Sequence, residues 1–213
     1  MKTLIVTGGK ININFLKNHL KSNKYDIIIA VDKGLESLYN LEINPNYIVG
    51  DFDSIDNNIL VKYENSNIKI KRLIPEKDLT DTESALELAV NLNSTDITIV
   101  GATGTRLDHV LANIHILKIP LEKNIKAKII DVNNEIELIN KSIRIEKNND
   151  FKYISLIPLT TEVEGVTIKG MKYTLKDYTL KIGNSLGVSN EKTEQVAEIS
   201  LKKGILIIIR SRD

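Results

Sequence analysis

The chain has 213 residues, 42% of them hydrophobic, enough for one large domain or two modest ones. With 29 Lys+Arg against 28 Asp+Glu the formal charge is only +1, so no basic field favours nucleic acid or an anionic membrane surface. Cysteine is absent, which excludes disulfides, thiolate metal sites and cysteine nucleophiles and fits a reducing compartment, the cytoplasm.

The opening Met1 to Gly9 carries too short an apolar run for a signal peptide, and Ile205 to Ile209 is far too short to span a bilayer, so a soluble protein is expected. Apolar, β-branched runs then alternate with helical patterns as far as about residue 131. Strands are predicted at Thr3 to Thr7, Asp26 to Val31, Tyr47 to Val49, Ile68 to Ile74, Ile97 to Val100 and Ala127 to Asp131. Ala85, Leu88, Ala89 and Leu92 follow the i, i+3, i+4, i+7 spacing of an amphipathic helix, opened by the capping-box pair Thr80 and Glu83. Leu107, Val110, Leu111, Ile114 and Leu117 repeat that pattern behind the loop Gly101 to Arg106. This alternation predicts an α/β N-terminal domain over 1–132, doubly wound around a mostly parallel sheet.

Residues 133–150 turn polar and Asn/Lys-rich and read as a linker. Over 151–213 short strand-like runs follow closely, predicting a small all-β sandwich or barrel. Two copies of Tyr-Thr-Leu-Lys, at 173 and 178, read as neighbouring strands around Asp177. So small a unit has little core and is expected to lean on the first domain or on a second subunit.

The polar residues collect just behind strand ends, the rim on which open α/β sheets bind ligands. Asp32, Lys33 and Gly34 follow the second strand, Asp51 and Asp53 the third, Lys77, Asp78 and Asp81 the fourth, and Arg106, Asp108 and His109 the fifth. In extended chain Asp51 and Asp53 point the same way, roughly 6 to 7 Å apart. Brought to about 4 Å, two carboxylates repel by about 4 kcal/mol at an effective dielectric near 20, which a cation offsets. Magnesium, which takes a few carboxylates, waters and phosphate oxygens, suits such a rim. Each cluster also has a plainer reading: a solvated turn, an acidic first helical turn favoured by the dipole, or a solvated Lys77. His109 and Asn113, four apart, share a helix face and could meet one ligand, or His109 could be an ordinary surface histidine. Neither a P-loop pattern nor G-x-G-x-x-G behind a strand is present, though Gly8-Gly9 and Gly101-x-x-Gly104 offer backbone N–H groups to an anion. In the tail, the Gly183 to Glu191 segment, with Ser185, Ser189 and Asn190, is either a plain connection or a hydrogen-bonding surface for a nitrogen-rich ligand.

Taken together, Ala30-Val31-Asp32-Lys33-Gly34, Val49-Gly50-Asp51-Phe52-Asp53-Ser54, Lys77-Asp78-Leu79-Thr80-Asp81-Thr82-Glu83, Arg106-Leu107-Asp108-His109-x-x-x-Asn113 and Ser185-x-x-x-Ser189-Asn190 resemble, in order and over nearly the whole length, the thiamine pyrophosphokinases. The resemblance implies an α/β catalytic domain, a β-sandwich thiamine-binding domain, a homodimer, and pyrophosphoryl transfer from ATP to thiamine with release of AMP. It implies that Asp51, Asp53, Asp78 and Asp81 hold Mg2+ on the ATP phosphates. Lys77 and Arg106 would stabilise the transferring group, and Asp108 would orient or deprotonate the attacking hydroxyl. Asp32, Lys33, Gly34, Arg106, His109 and Asn113 would meet ATP, and Ser185, Ser189 and Asn190 would meet thiamine, across a dimer interface. Two departures stand out: Lys33 replaces a frequent glycine, and the chain has no Trp to stack on thiamine, so that stacking comes from Tyr173 or Tyr178 or is absent. A magnesium-dependent phosphohydrolase and a non-catalytic nucleotide or thiamine sensor are the rival readings.

Overall fold

The computed structural model describes residues 1–52, 55–64, 68–72, 79–146 and 151–213. They form two compact units, Met1–Val132 and Asn133–Asp213.

The first unit carries six strands: β1 (Lys2–Val6), β2 (Ile27–Val31), β3 (Tyr47–Gly50), β4 (Lys69–Arg72), β5 (Asp96–Val100) and β6 (Lys126–Ile130). All neighbouring pairs are parallel, and their order is β6-β5-β1-β2-β3-β4. The helices are α1 (Ile13–Ser22), α2 (Gly34–Asn40), α3 (Asn57–Glu64), α4 (Asp81–Asn91), α5 (Leu107–Ile116) and α6 (Lys118–Glu122). Side chains alternate along a strand, so Leu4 and Val6 of β1 share one face. There they pack with Leu16 of α1, Leu35 and Leu38 of α2, and Leu60 and Tyr63 of α3. The other face is covered by α4, which packs on β1, β2 and β3 with Ala85, Leu86, Ala89 and Val90 buried. Strands buried on both faces explain the unbroken apolar runs of the sequence.

Winding proceeds outward from β1 to β4 and then returns to β5 on the other side of β1. The topological switch point therefore lies between β1 and β5, where such sheets open a crevice at the carboxyl ends of the strands.

The second unit is an antiparallel sandwich. Its strands are β7 (Asn134–Ile139), β8 (Ile143–Glu146), β9 (Tyr153–Pro158), β10 (Glu162–Lys169), β11 (Leu175–Lys181), β12 (Asn190–Glu191), β13 (Val196–Ser200) and β14 (Leu206–Ser211). They form the layers β12-β9-β14-β7 and β11-β10-β13-β8. Ile154, Leu156, Leu206 and Ile208 of one layer meet Val163, Val166, Ile168 and Ile199 of the other in a core of the unit's own.

Two sequence expectations are corrected here. The stretch 133–146, read as linker, is β7 and β8: Ile136 and Leu138 are buried, while the intervening Glu135 and Glu137 pair with Arg210 of β14. Polar composition concealed a strand whose charges are neutralised by its neighbour. The two Tyr-Thr-Leu-Lys copies are not neighbouring strands, because Leu175–Lys181 is one strand, irregular where Asp177 takes φ +49° and the pairing with β10 shifts register.

Candidate active site

The switch point holds a cleft of about 500 Å³, within the range of small-molecule sites. Its floor is main chain. Thr7 N donates to the Val100 carbonyl at 2.9 Å and Gly9 N to the Gly101 carbonyl at 3.0 Å, so the loops leaving β1 and β5 run side by side. A Cβ on Gly9 would stand 2.1 Å from the Gly101 oxygen, so only glycine permits this approach. The second loop is braced further: Asn113 Nδ2 donates to the Ala102 carbonyl at 2.9 Å, and Thr103 Oγ1 donates to Asp131 Oδ2 at 2.7 Å.

Helix starts supply one wall. Thr80, in extended backbone, caps α4 by accepting the Glu83 N–H at 3.2 Å, as its T-x-x-E pattern predicts. Thr80, Asp81 and Thr82 all face the cleft. Arg106 precedes α5 without a side-chain cap, and the His109 N–H in the first turn is taken by Asp108.

Of the residues singled out from sequence, Asp32, Lys33, Asp81, Arg106, His109 and Asn113 line this cleft. Asp51, half-buried directly behind β3, is not among its lining, and Gly34 is buried against the main chain of Val6. The two strand ends nonetheless lie close: a Cβ on Gly50 would fall 2.0 Å from Asp32 Oδ1, so the carboxylate of Asp32 lies against the residue that precedes Asp51. Asp32 and Phe52 both take left-handed φ, +45° and +66°, so the chain reverses sharply at these two strand ends. Asp53, Lys77 and Asp78 lie outside the described residues. Among the described residues no three Asp, Glu or His side chains cluster as a complete metal cage. Hard oxygen donors set singly at neighbouring strand ends suit magnesium, which takes one or two carboxylates and completes its shell with water and phosphate.

Asp108 turns to Arg106. Arg106 Nε and Nη2 donate to its two oxygens at 3.2 and 2.6 Å, a bidentate pair exposed to solvent. The Arg106 hydrogen bond, aided by the backbone N–H of His109, lowers the Asp108 carboxyl from its ordinary 3.8 to about 2. The guanidinium is shifted upward by the same contact.

Thr7, Lys10, Thr82, Thr103 and Thr105 also line the cleft and were not singled out from the sequence as site residues. Lys10 had a signal, its place directly after Gly8-Gly9 behind the first strand. The threonines had none, since a hydroxyl beside a strand end is common in any fold. Lys10, Lys33 and Arg106 thus share the lining with Asp32 and Asp81, a balance that fits a phosphate ligand accompanied by a cation.

In the second unit, Ser185 and Ser189 are exposed, whereas Asn190 opens β12 with its side chain buried. The three are not equivalent, because only the serines present hydroxyls to solvent.

Fold and cleft define a doubly wound α/β domain with a crevice at its switch point, joined in one chain to a β-sandwich. Residues 18–129 match the thiamin pyrophosphokinase catalytic domain and residues 140–206 its vitamin B1 binding domain. The chain is 37% identical over 216 aligned positions, covering all of both chains, to the thiamine pyrophosphokinase of Bacillus subtilis (strain 168). Among solved structures it is similar to thiamine pyrophosphokinase from Bacillus subtilis (TM-score 0.90, 34% identity, 100% of both chains). It is similar also to that from Geobacillus thermodenitrificans (TM-score 0.87, 30% identity, 100% of this chain and 98% of that one). The enzyme from Candida albicans, at 24% identity over 99% of this chain and 89% of that one, shares the fold with a TM-score of 0.84. The chain belongs to the thiamine pyrophosphokinase family.

Proposed function

We propose that the chain transfers the pyrophosphoryl group of ATP to the hydroxyl of thiamine, giving thiamine diphosphate and AMP. The observation that carries this reading is the switch-point cleft, where Lys10, Lys33 and Arg106 meet Asp81 over a floor of glycine main chain. The hydroxyl oxygen attacks the β-phosphorus, the bond from that phosphorus to the bridging oxygen of AMP breaks, and the hydroxyl proton is lost. Little covalent chemistry falls to the protein in such a transfer, so positioning and charge neutralisation supply most of the rate.

The first unit is assigned the nucleotide. Lys33, His109 and Asn113 border it, together with the loops Gly8-Gly9 and Gly101–Gly104. Arg106, held by Asp108, is assigned to the charge developing between the parting groups. A carboxyl lowered to about 2 suits an orienting partner for Arg106 better than a proton acceptor. Asp51 and Asp81, with Asp53 and Asp78 beside them in sequence, are assigned to Mg2+. Bound there, the ion neutralises phosphate charge. Lys77 joins Arg106 in this scheme.

The second unit is assigned thiamine, with the exposed hydroxyls of Ser185 and Ser189 and the exposed ring of Tyr173 as its contacts. Association of two copies is supported by apolar side chains left in solvent, Leu107 and Leu111 on α5 (73% and 58% exposed) and Ile182, Leu186 and Val188 in the sandwich. Among the described residues no helix is long and apolar enough to cross a membrane. The cysteine-free composition supports a reducing compartment, the cytoplasm.

Incubation with ATP, magnesium and thiamine tests the reading. AMP release that requires thiamine is the expected result; phosphate release without thiamine, or binding of both ligands without turnover, overturns it.

A further inference from the structure

The segment before β12 is fastened to β9 through its main chain. Leu156 N donates to the Gly187 carbonyl at 2.8 Å, Ser189 N donates to Ser155 Oγ at 3.0 Å, and Asn190 pairs with Ile154. This docking leaves Ser185 and Ser189 outward and turns Asn190 inward, to 3% exposure. The buried amide is almost fully used. Its Oδ1 accepts the N–H of Tyr173 at 2.9 Å and that of Glu191 at 3.0 Å, and its Nδ2 donates to the Tyr173 carbonyl at 2.7 Å. Only one N–H of the asparagine is left.

A side chain that takes both the N–H and the C=O of one residue does for Tyr173 what a neighbouring strand does in a ladder. The place needs it, because β11 begins only at Leu175 and the preceding pairing is the single Met171–Lys192 bridge. The residue so held is 59% exposed, more than Tyr178 at 40%. Burial of its ring contributes little to folding, so packing does not explain why a buried amide is committed to it. A ligand for the ring does explain it. An aromatic face presented to a cationic ring gains only when its orientation is fixed before binding.

We infer that Asn190 is a positioning residue, which sets the Tyr173 ring against thiamine and does not itself touch thiamine. The inference rests on the assignment of thiamine to the second unit. It changes the meaning of the Ser-Asn pair: Ser189 faces the ligand, and Asn190 faces the backbone that carries the aromatic.

The test uses the absence of tryptophan from the chain. Tyr173→Trp supplies a single indole whose emission anisotropy reads ring mobility with no ligand present. Adding Asn190→Ala lowers that anisotropy, and thiamine titration then shows roughly tenfold weaker binding, the scale of one or two lost hydrogen bonds. Kinetically, Asn190→Ala raises the KM for thiamine about tenfold while the KM for ATP stays within about twofold. In a Tyr173→Ala background the same change adds less than about twofold, because its effect runs through the ring already removed. Asn190→Asp, which keeps the acceptor and the shape but loses the donor, falls between and serves if the alanine variant does not fold. Additive losses, or an unchanged anisotropy, overturn the inference. A wild-type protein without thiamine turnover would remove the functional reading, and the anisotropy comparison would still decide whether Asn190 holds position 173.

Discussion

The hydroxyls of Thr7 and Thr82 lie 2.8 Å apart in the interior and join the end of β1 to the first turn of α4. Asp81 stands on that same turn, so the hydroxyl pair fixes a carboxylate of the cleft relative to the switch point. Thr82→Val leaves the Thr7 hydroxyl buried without its partner, at a cost of about 1–3 kcal/mol. Replacing both by valine removes the orphan, so the double variant recovers part of the loss, a coupling of about 1 kcal/mol in a urea double-mutant cycle. The single variant also raises the KM for ATP, whereas the KM for thiamine stays.

In the proposed assignment Asp51 and Asp53 would hold magnesium, which would neutralise phosphate charge. Asp51→Asn and Asp53→Ala should each lower turnover by about a hundredfold or more, the scale of losing one preorganised charge contact to a transferring group. Circular dichroism and thermal midpoint should be unchanged. Near-normal turnover in either variant would remove that residue from the metal assignment.

The Arg106–Asp108 pair gives a pH prediction with a definite sign. The folded Asp108 carboxyl titrates below its ordinary 3.8, at about 2. Its contribution is therefore present above about pH 4 and lost as pH falls through about 2. Carbon-13 titration of the Asp108 carboxyl should show this low midpoint in wild type and a return toward 3.8 in Arg106→Ala. High salt should move the wild-type midpoint upward as well, because the pair is solvent-exposed and screened.

Arg210 is mostly buried between Glu135 and Glu137 on the neighbouring strand. Arg210→Ala would remove the guanidinium shared by two partly buried carboxylates, destabilising the sandwich by about 3 kcal/mol, the lower end for a broken buried pair. Arg210→Met combined with Glu135→Gln and Glu137→Gln should be far milder, and guanidinium unfolding followed by tyrosine fluorescence separates the two outcomes.

These same residues mark where sequence reading succeeds and where it stops. The parallel strands were legible because a strand covered on both faces must be apolar throughout, as Leu4, Ile5 and Val6 are. The start of α4 was legible because a threonine cap is a local interaction between residues three apart. Strand β7 was not, because Glu135 and Glu137 pair in the sheet with Arg210, more than seventy residues on. The stripe Leu107, Val110, Leu111 was read correctly as helical, yet Leu107 and Leu111 face solvent: periodicity defines a face without saying what covers it. Of the site, the acidic strand ends were visible in the sequence. The inward turn of Asn190 was not, since it depends on which segments the topology brings together.

The crossing of Gly9 and Gly101 has a consequence for how affinity can change in this chain. The cleft floor is main chain hydrogen-bonded to main chain, with no rotamers there to freeze when a ligand arrives. The loss of freedom occurs once, at folding, and binding does not repeat it. Variation that tunes affinity must then act through the side chains of the walls, Lys10, Lys33, Asp81 and His109 among them, while the floor can only be kept or broken.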